Sequence, residues 1–310
     1  MNVLIYGAGA LGLWFGFHLQ QFASVYLVAR DRIVRAVRLN GLNLQKDNSE
    51  YTRRLEISGE IEEEWPKPDL VLLAVKSYDV DESLRQIFKR FNRLPIVTIQ
   101  NGVYAEEAAS VVFGNDKVFP ATVMIGARLV DDSTVEEFLN SGMKLGYLSD
   151  NAKGFAREVV DLFRRCNIAC EFSDEIMRQK WFKLAFYCSC ATINALTGVL
   201  DLSTPGVSWL VRSLLDEIGQ LSLVLDLDFD LRKLVDDVFD FAMQFKPRSW
   251  KASVGEDLKK GKRTEIDYLN GYIVKLAEKN SLRVPLNRTL YTLVKTIETT
   301  NYFRIKPLKH

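Results

Sequence analysis

Gly7-Ala8-Gly9-Ala10-Leu11-Gly12 follows the apolar run Val3-Leu4-Ile5-Tyr6 directly and opens an apolar helical stretch. In a G-x-G-x-x-G turn the first glycine permits the tight bend and the second lets a pyrophosphate approach the backbone. The third allows helix and strand to pack closely, with the helix amino end facing the phosphates. Strand, turn and helix coincide here, so the segment reads as a dinucleotide-binding loop contacted through Gly7, Ala8, Gly9, Ala10, Leu11 and Gly12. The alternative is a purely structural glycine turn.

The coenzyme's identity is set at the end of the second strand, where a carboxylate would bind the ribose 2'-hydroxyl of NAD. Val25-Tyr26-Leu27-Val28-Ala29 ends instead at Arg30, with Arg32 and Arg35 nearby and Asp31 adjacent. A guanidinium fork suits a 2'-phosphate, which favours NADP(H) over NAD; the other reading is a solvated loop arginine. Lys76 and Asn101 follow further apolar runs, where carboxyl ends of strands face ligands in an open sheet. Each also fits an ordinary loop, since Asn101-Gly102 is a common turn pair.

Farther on, Lys183 stands at the head of a long uncharged helical stretch, where partial desolvation would make its ammonium a readier proton donor. Lys180, one turn earlier, reads as an exposed companion. In the last motif, Ser253-Val254-Gly255 precedes Thr264-Glu265-Ile266-Asp267-Tyr268-Leu269-Asn270-Gly271. Arg263 or Thr264 would begin a helix, and Glu265 and Asp267 could simply complement its dipole.

These groups need a scaffold. The 310 residues favour two domains, and 47% apolar content is enough for a core in each. Short apolar runs at 2–6, 24–29, 70–75, 95–100, 118–125 and 143–146 are separated by helix-length segments, which calls for a parallel sheet covered on both faces. After about 172 the pattern becomes helical throughout: 175–196, 207–225, 231–245, 265–280 and 287–300. Ser173 or Asp174 signals a helix start, Gly198 a stop, and Pro205, Pro247 and Pro285 the joints. The expected class is α/β: an N-terminal Rossmann-like doubly wound domain over 1–172 and an all-helical substrate and catalytic domain over 173–310, with a cleft between.

Composition narrows the chemistry. With 41 basic and 40 acidic side chains there is no global field for nucleic acid or an anionic membrane, so phosphate recognition must be local. Only His18 and His310 are histidines, which makes a Ser-His-Asp triad or a multi-histidine zinc site improbable and puts proton transfer on Lys, Tyr, Asp or Glu. Cys166, Cys170, Cys188 and Cys190 lack metal or thiol-redox spacing and read as reduced core residues of a cytoplasmic protein. No metal, secretory leader or membrane span is expected.

Together, the leading GAGALG, Arg30, Val75-Lys76, Gln100-Asn101-Gly102, the Lys183 helix, Ser253 and the 264–271 stretch followed by Val284-Pro285-Leu286-Asn287 resemble the ketopantoate reductase (2-dehydropantoate 2-reductase) family. The resemblance spans nearly the whole chain. It implies reduction of a small 2-oxo acid by NADPH, in pantothenate and coenzyme A biosynthesis. It further implies that Lys183 is the general acid and that Glu265 holds the lysine and the substrate hydroxyl. Ser253 would contact the substrate carboxylate, and Asn101 would sit beside the nicotinamide ribose and the substrate.

Pantoate-forming members commonly carry asparagines four and eight residues after the lysine, where this chain has Tyr187 and Ala191. Asn194 lies on the same face about 16 Å from Lys183 at 1.5 Å per residue, and is assigned to the substrate as part of a longer variant of the helix. Trp250 is bulkier than the residue expected there. A paralogous reductase of another 2-oxo acid, or a non-catalytic NADP(H) sensor, are the alternatives. The apolar helical faces leave room for a homodimer.

Overall fold

In the computed structural model, residues 1–244 and 252–305 are described; Phe245, Pro247, Trp250 and His310 lie outside them. The chain divides into two compact units, Met1–Lys180 and Trp181–His310.

The first unit is built on β1 (Asn2–Tyr6), α1 (Ala10–Leu19), β2 (Ser24–Val28), α2 (Asp31–Asn40), β3 (Leu42–Lys46), β4 (Ser49–Arg53), β5 (Glu56–Ser58), β6 (Leu70–Leu73), α3 (Val80–Phe91), β7 (Ile96–Thr98), α4 (Tyr104–Phe113), β8 (Val118–Leu129), β9 (Thr134–Leu145), α5 (Lys153–Arg165) and β10 (Cys170–Phe172). Six strands pair in parallel in the order β5-β2-β1-β6-β7-β8. Their apolar runs are continuous because both faces are covered. Val3 and Ile5 point into one core with Trp14 of α1 and Phe163 of α5. Leu4 and Tyr6 point into the other with Ile87 of α3 and Ala109 of α4. The strand order reverses between β1 and β6, the switch point where open sheets bind ligands.

The sheet extends beyond the expected parallel strands. β8 and β9 form an antiparallel hairpin, β9 pairs β3 and β10 in parallel, and β3 pairs β4 antiparallel. The β3–β4 turn is Asp47-Asn48, with φ of 50° and 60°. Two consecutive left-handed residues give the turn twist that a two-residue hairpin requires.

His18 on α1 is buried, 4.0 Å from Glu137, which itself accepts a hydrogen bond from Trp14 Nε1 (2.6 Å) and pairs with Lys46 (2.8 Å). Burial pushes the imidazole down to about 4, against the opposing pull of Glu137, so at neutral pH it carries no charge. Because the folded value lies below the ordinary 6.5, the stabilising contribution is complete above pH 6.5 and is lost as pH falls toward 4. The largest loss from this one group is on the order of 3 kcal/mol. We therefore expect His18→Leu to lose less stability than wild type between pH 6.5 and 4 in urea titrations; parallel pH profiles would contradict this.

In the second unit the expected 175–196 helix is present but not uniform. It runs as α6 (Ile176–Phe186), a π-helical turn at Tyr187–Ala191 and α7 (Thr192–Thr197). Gly198, at φ +76°, ends it by donating its N–H to the Asn194 carbonyl (2.8 Å). α8 (Pro205–Gly219), α9 (Leu231–Met243), α10 (Ser253–Lys259), α11 (Asn270–Lys279) and α12 (Pro285–Ile305) follow. The 265–280 expectation needs correction: Ile266–Tyr268 is a 3-10 turn, and the α-helix starts only at Asn270. Thr264 Oγ accepts from Ile266 N (3.2 Å) and donates to Glu298 (2.5 Å), which anchors the tight turn.

Asn270 explains the π turn. Its amide donates to the Cys188 carbonyl (2.7 Å) and to Asn287 Oδ1 (3.0 Å), while its oxygen accepts from Thr192 Oγ (2.8 Å). Thr192 also donates to the Tyr187 carbonyl (3.0 Å), and Asn287 donates in turn to Glu217 (2.9 Å). A widened turn loosens the i→i−4 ladder, and the Asn270 amide and the Thr192 hydroxyl supply partners to two of its carbonyls. No helix among the described residues is long and apolar enough to cross a membrane.

Candidate active site

In the first unit the glycine loop has three distinct environments. Gly7 holds φ +106°, and a side chain there would meet Val75 Cγ1 at 2.6 Å and Val75 N at 2.7 Å. A side chain on Gly12 would land on the Gly7 carbonyl oxygen. Gly9 is exposed, and a Cβ built on it meets nothing within 4 Å. Tight bend, close helix packing and one open position are what a pyrophosphate loop needs, so these residues fit the phosphates of a dinucleotide. Gly9 also caps α1, which has no side-chain cap of its own. Its first-turn amides supply the positive end of the helix dipole.

The neighbouring loops are tied to this turn. Gly7 and Ala8 donate to the Val28 carbonyl at 3.1 Å each, and Ala74 N donates to the Tyr6 carbonyl at 2.8 Å. Arg30 is exposed at the start of α2. Arg32 instead pairs with Asp132 (3.3 Å), and Arg38 donates to the Ile57 carbonyl (2.8 Å). Lys76 and Asn101 are half-buried at the carboxyl ends of β6 and β7. Between them, buried Gln100 donates its amide to the Leu73 (2.7 Å) and Val75 (3.0 Å) carbonyls, drawing the two strand ends together. The dinucleotide-contact residues expected from sequence are thus brought to one edge of the sheet.

Lys180 corrects the reading of an exposed companion. It is 2% exposed, and its Nζ lies 2.7 Å from Glu106 Oε1 while donating to the carbonyls of Gln100 (2.6 Å) and Ala121 (3.4 Å). Glu106 Oε1 also accepts from Thr98 Oγ (2.8 Å). An ammonium leaves water only when its donors are met, and its acceptors lie far away in sequence.

In the second unit Lys183 is half-buried on α6, its Nζ 5.7 Å from the centre of the Tyr187 ring. The same helix packs Phe182 and Phe186 against Phe241, with ring centres 5.5 and 5.6 Å apart. Asn194 Oδ1 accepts from Ala252 N (3.0 Å), the residue before Ser253. Gly255 sits close over Ala195, so Asn194 and the exposed Ser253 are brought into one corner of the unit. Glu265 is 7% exposed at the start of the 3-10 turn, and Asp267 beyond it pairs with Lys295 (3.2 Å), Arg263 (3.3 Å) and Tyr291 (2.9 Å). The four cysteines are buried and unbonded to one another, and burial pushes Cys170 and Cys190 up to about 12, which removes them from nucleophilic chemistry.

Residues 3–150 match the family model described as ketopantoate reductase PanE/ApbA, and residues 175–298 match its C-terminal counterpart. The chain belongs to the ketopantoate reductase family. A 2-dehydropantoate 2-reductase of Pyrococcus abyssi (strain GE5 / Orsay) is 28% identical over 300 residues, covering 95% of this chain and 97% of that one. One from Vibrio cholerae is 26% identical over 307 residues, covering 96% and 98%. A PanE/ApbA family ketopantoate reductase from Ralstonia eutropha JMP134 superposes with a TM-score of 0.81 at 25% identity, over 97% of this chain and 100% of that one. The fold is shared as well with a D-mandelate dehydrogenase solved with NADH and anilino(oxo)acetate, at a TM-score of 0.86, 22% identity and the same coverage.

Sequence reading missed Glu106, the burial of Lys180 and the structural work of Gln100 and Asn270. A buried lysine carries no local mark, although two lysines flanking Trp181-Phe182 in a stretch this apolar were a hint.

Proposed function

We propose that this ketopantoate reductase family member reduces 2-dehydropantoate to pantoate with NADPH, and that Lys183 is its proton donor. The observation that carries the assignment is the glycine turn, whose one open position is where a pyrophosphate must approach, in a chain akin along its length to enzymes of that activity. When bound, the reduced nicotinamide supplies the hydride that reaches the substrate C2. As charge builds on the carbonyl oxygen, the Lys183 ammonium donates a proton to it and is left as an amine, which solvent reprotonates. Glu265 holds the lysine and the nascent hydroxyl, and Ser253 donates to the substrate carboxylate. Asn101 orients the reacting end, while Asn194 serves the substrate side by holding the Ser253 segment through Ala252.

Arg30 is assigned to the 2'-phosphate, with Lys76 as a second cation on the coenzyme. A charge-assisted hydrogen bond contributes about 1.5–3 kcal/mol, so Arg30→Asp is expected to raise KM for NADPH by roughly 10–100-fold and to leave NADH no worse. An unchanged NADPH to NADH ratio would remove Arg30 from that role.

The Tyr187 ring beside Lys183 supports a second reading, a reductase of a different 2-oxo acid whose substituent packs on an aromatic face. One experiment separates the readings: purified protein is mixed with NADPH and either 2-dehydropantoate or a panel of other 2-oxo acids, and loss of near-ultraviolet coenzyme absorbance is followed. Fastest turnover with 2-dehydropantoate supports the first and fastest turnover with an aryl 2-oxo acid the second. Tight NADPH binding without turnover of any of them leaves a sensor.

A further inference from the structure

We propose that Lys180, held by Glu106, is a positioning residue that sets the Gln100–Asn101 turn and, through it, the coenzyme edge of the first unit. All the atoms involved belong to that unit. The Lys180 Nζ donates at 2.6 Å to the Gln100 carbonyl, the oxygen of the very peptide whose nitrogen belongs to Asn101. Fixing that oxygen fixes the plane of the peptide from which Asn101 projects. Gly102 follows at φ +86°, so the chain turns sharply at once and the orientation is not averaged away along a strand.

The same residue transmits the constraint onward. Gln100's side chain bonds the Leu73 and Val75 carbonyls at 2.7 and 3.0 Å, and Val75 is the residue against which Gly7 is packed. A single ammonium therefore braces β7, the β6 loop and the glycine turn, and its contact with the Ala121 carbonyl adds β8. Glu106, in the first turn of α4, is 1% exposed and is itself oriented by Thr98.

Fold stability alone is a poor reason for this arrangement. A buried ion pair is often no more stabilising than apolar residues of similar volume, whereas its hydrogen bonds fix geometry that apolar packing leaves free. The Gln100 carbonyl that Lys180 engages lies just past the carboxyl end of β7, on the edge where open sheets bind ligands and geometry has a function.

The test is the double variant Lys180→Met with Glu106→Gln, which removes both charges together and keeps an acceptor for Thr98. It is expected to melt within a few degrees of wild type. KM for NADPH should rise about ten-fold or more, and KM for the 2-oxo acid, whose reacting end Asn101 also orients, should rise with it. A purely structural pair would lower the active fraction, and so kcat, with both KM values unmoved; that result, or wild-type kinetics, overturns the proposal. The kinetic arm rests on the function proposed above. Should wild type turn over no 2-oxo acid, that function fails, and hydrogen exchange at the Asn101 amide decides the present one. Exchange about ten-fold faster in the double variant supports positioning, and unchanged exchange overturns it.

Discussion

Lys183→Ala should lower kcat by about 10²–10⁴-fold, the usual contribution of a positioned general acid, while the dissociation constant for NADPH stays at its wild-type value. The two readouts separate because the lysine lies in the second unit and the glycine turn in the first. Lys183→Arg retains the charge and much of the length, but a guanidinium does not release its proton near neutral pH, so it should stay about as slow as the alanine variant. Full recovery in the arginine variant would mean that the charge alone matters and that proton donation lies elsewhere. Stopped-flow single turnovers with NADPH preloaded provide the comparison without interference from product release.

The second large effect contrasts two glycines three residues apart. In Gly12→Ala the new methyl meets the Gly7 carbonyl oxygen, a backbone atom that cannot swing aside, and overpacking of this kind costs about 3 kcal/mol or more. Thermal unfolding should show a clearly lowered Tm. Gly9→Ala has nothing within 4 Å to meet and keeps a backbone (φ −77°) that alanine adopts freely, so its Tm should match wild type. Its methyl instead fills the space assigned to the pyrophosphate, and NADPH affinity should fall by about ten-fold or more, at least 1.4 kcal/mol. A Gly9→Ala protein that binds NADPH normally would place the phosphates elsewhere. A Gly12→Ala protein of wild-type stability would refute the close helix-to-strand packing.

What could be read from sequence was what is enforced locally. The glycine loop is fixed by residues within one turn of each other, and the parallel core by runs such as Leu70–Leu73 that are buried on both faces. Gly198 as a helix stop needed only its own φ. The β3–β4 hairpin was legible in principle, because Asp47-Asn48 is a turn pair, yet β4 is mostly exposed and carries no apolar signal. Other features depend on distant partners. The π turn at Tyr187–Ala191 rests on Asn270, and the burial of Lys180 rests on Glu106, Gln100 and Ala121. The conspicuous 264–271 stretch drew attention as a site motif, whereas its Asn270 is wholly buried as a scaffold for the lysine helix.

The most direct measurement uses NADPH carrying deuterium at the reactive C4 position, incubated with the protein and 2-dehydropantoate, with the products analysed by mass spectrometry and NMR. Pantoate bearing one deuterium at C2, formed mole for mole with the coenzyme consumed, is the expected result. Coenzyme left intact beside unreacted 2-dehydropantoate, or unlabelled pantoate, would contradict the assignment.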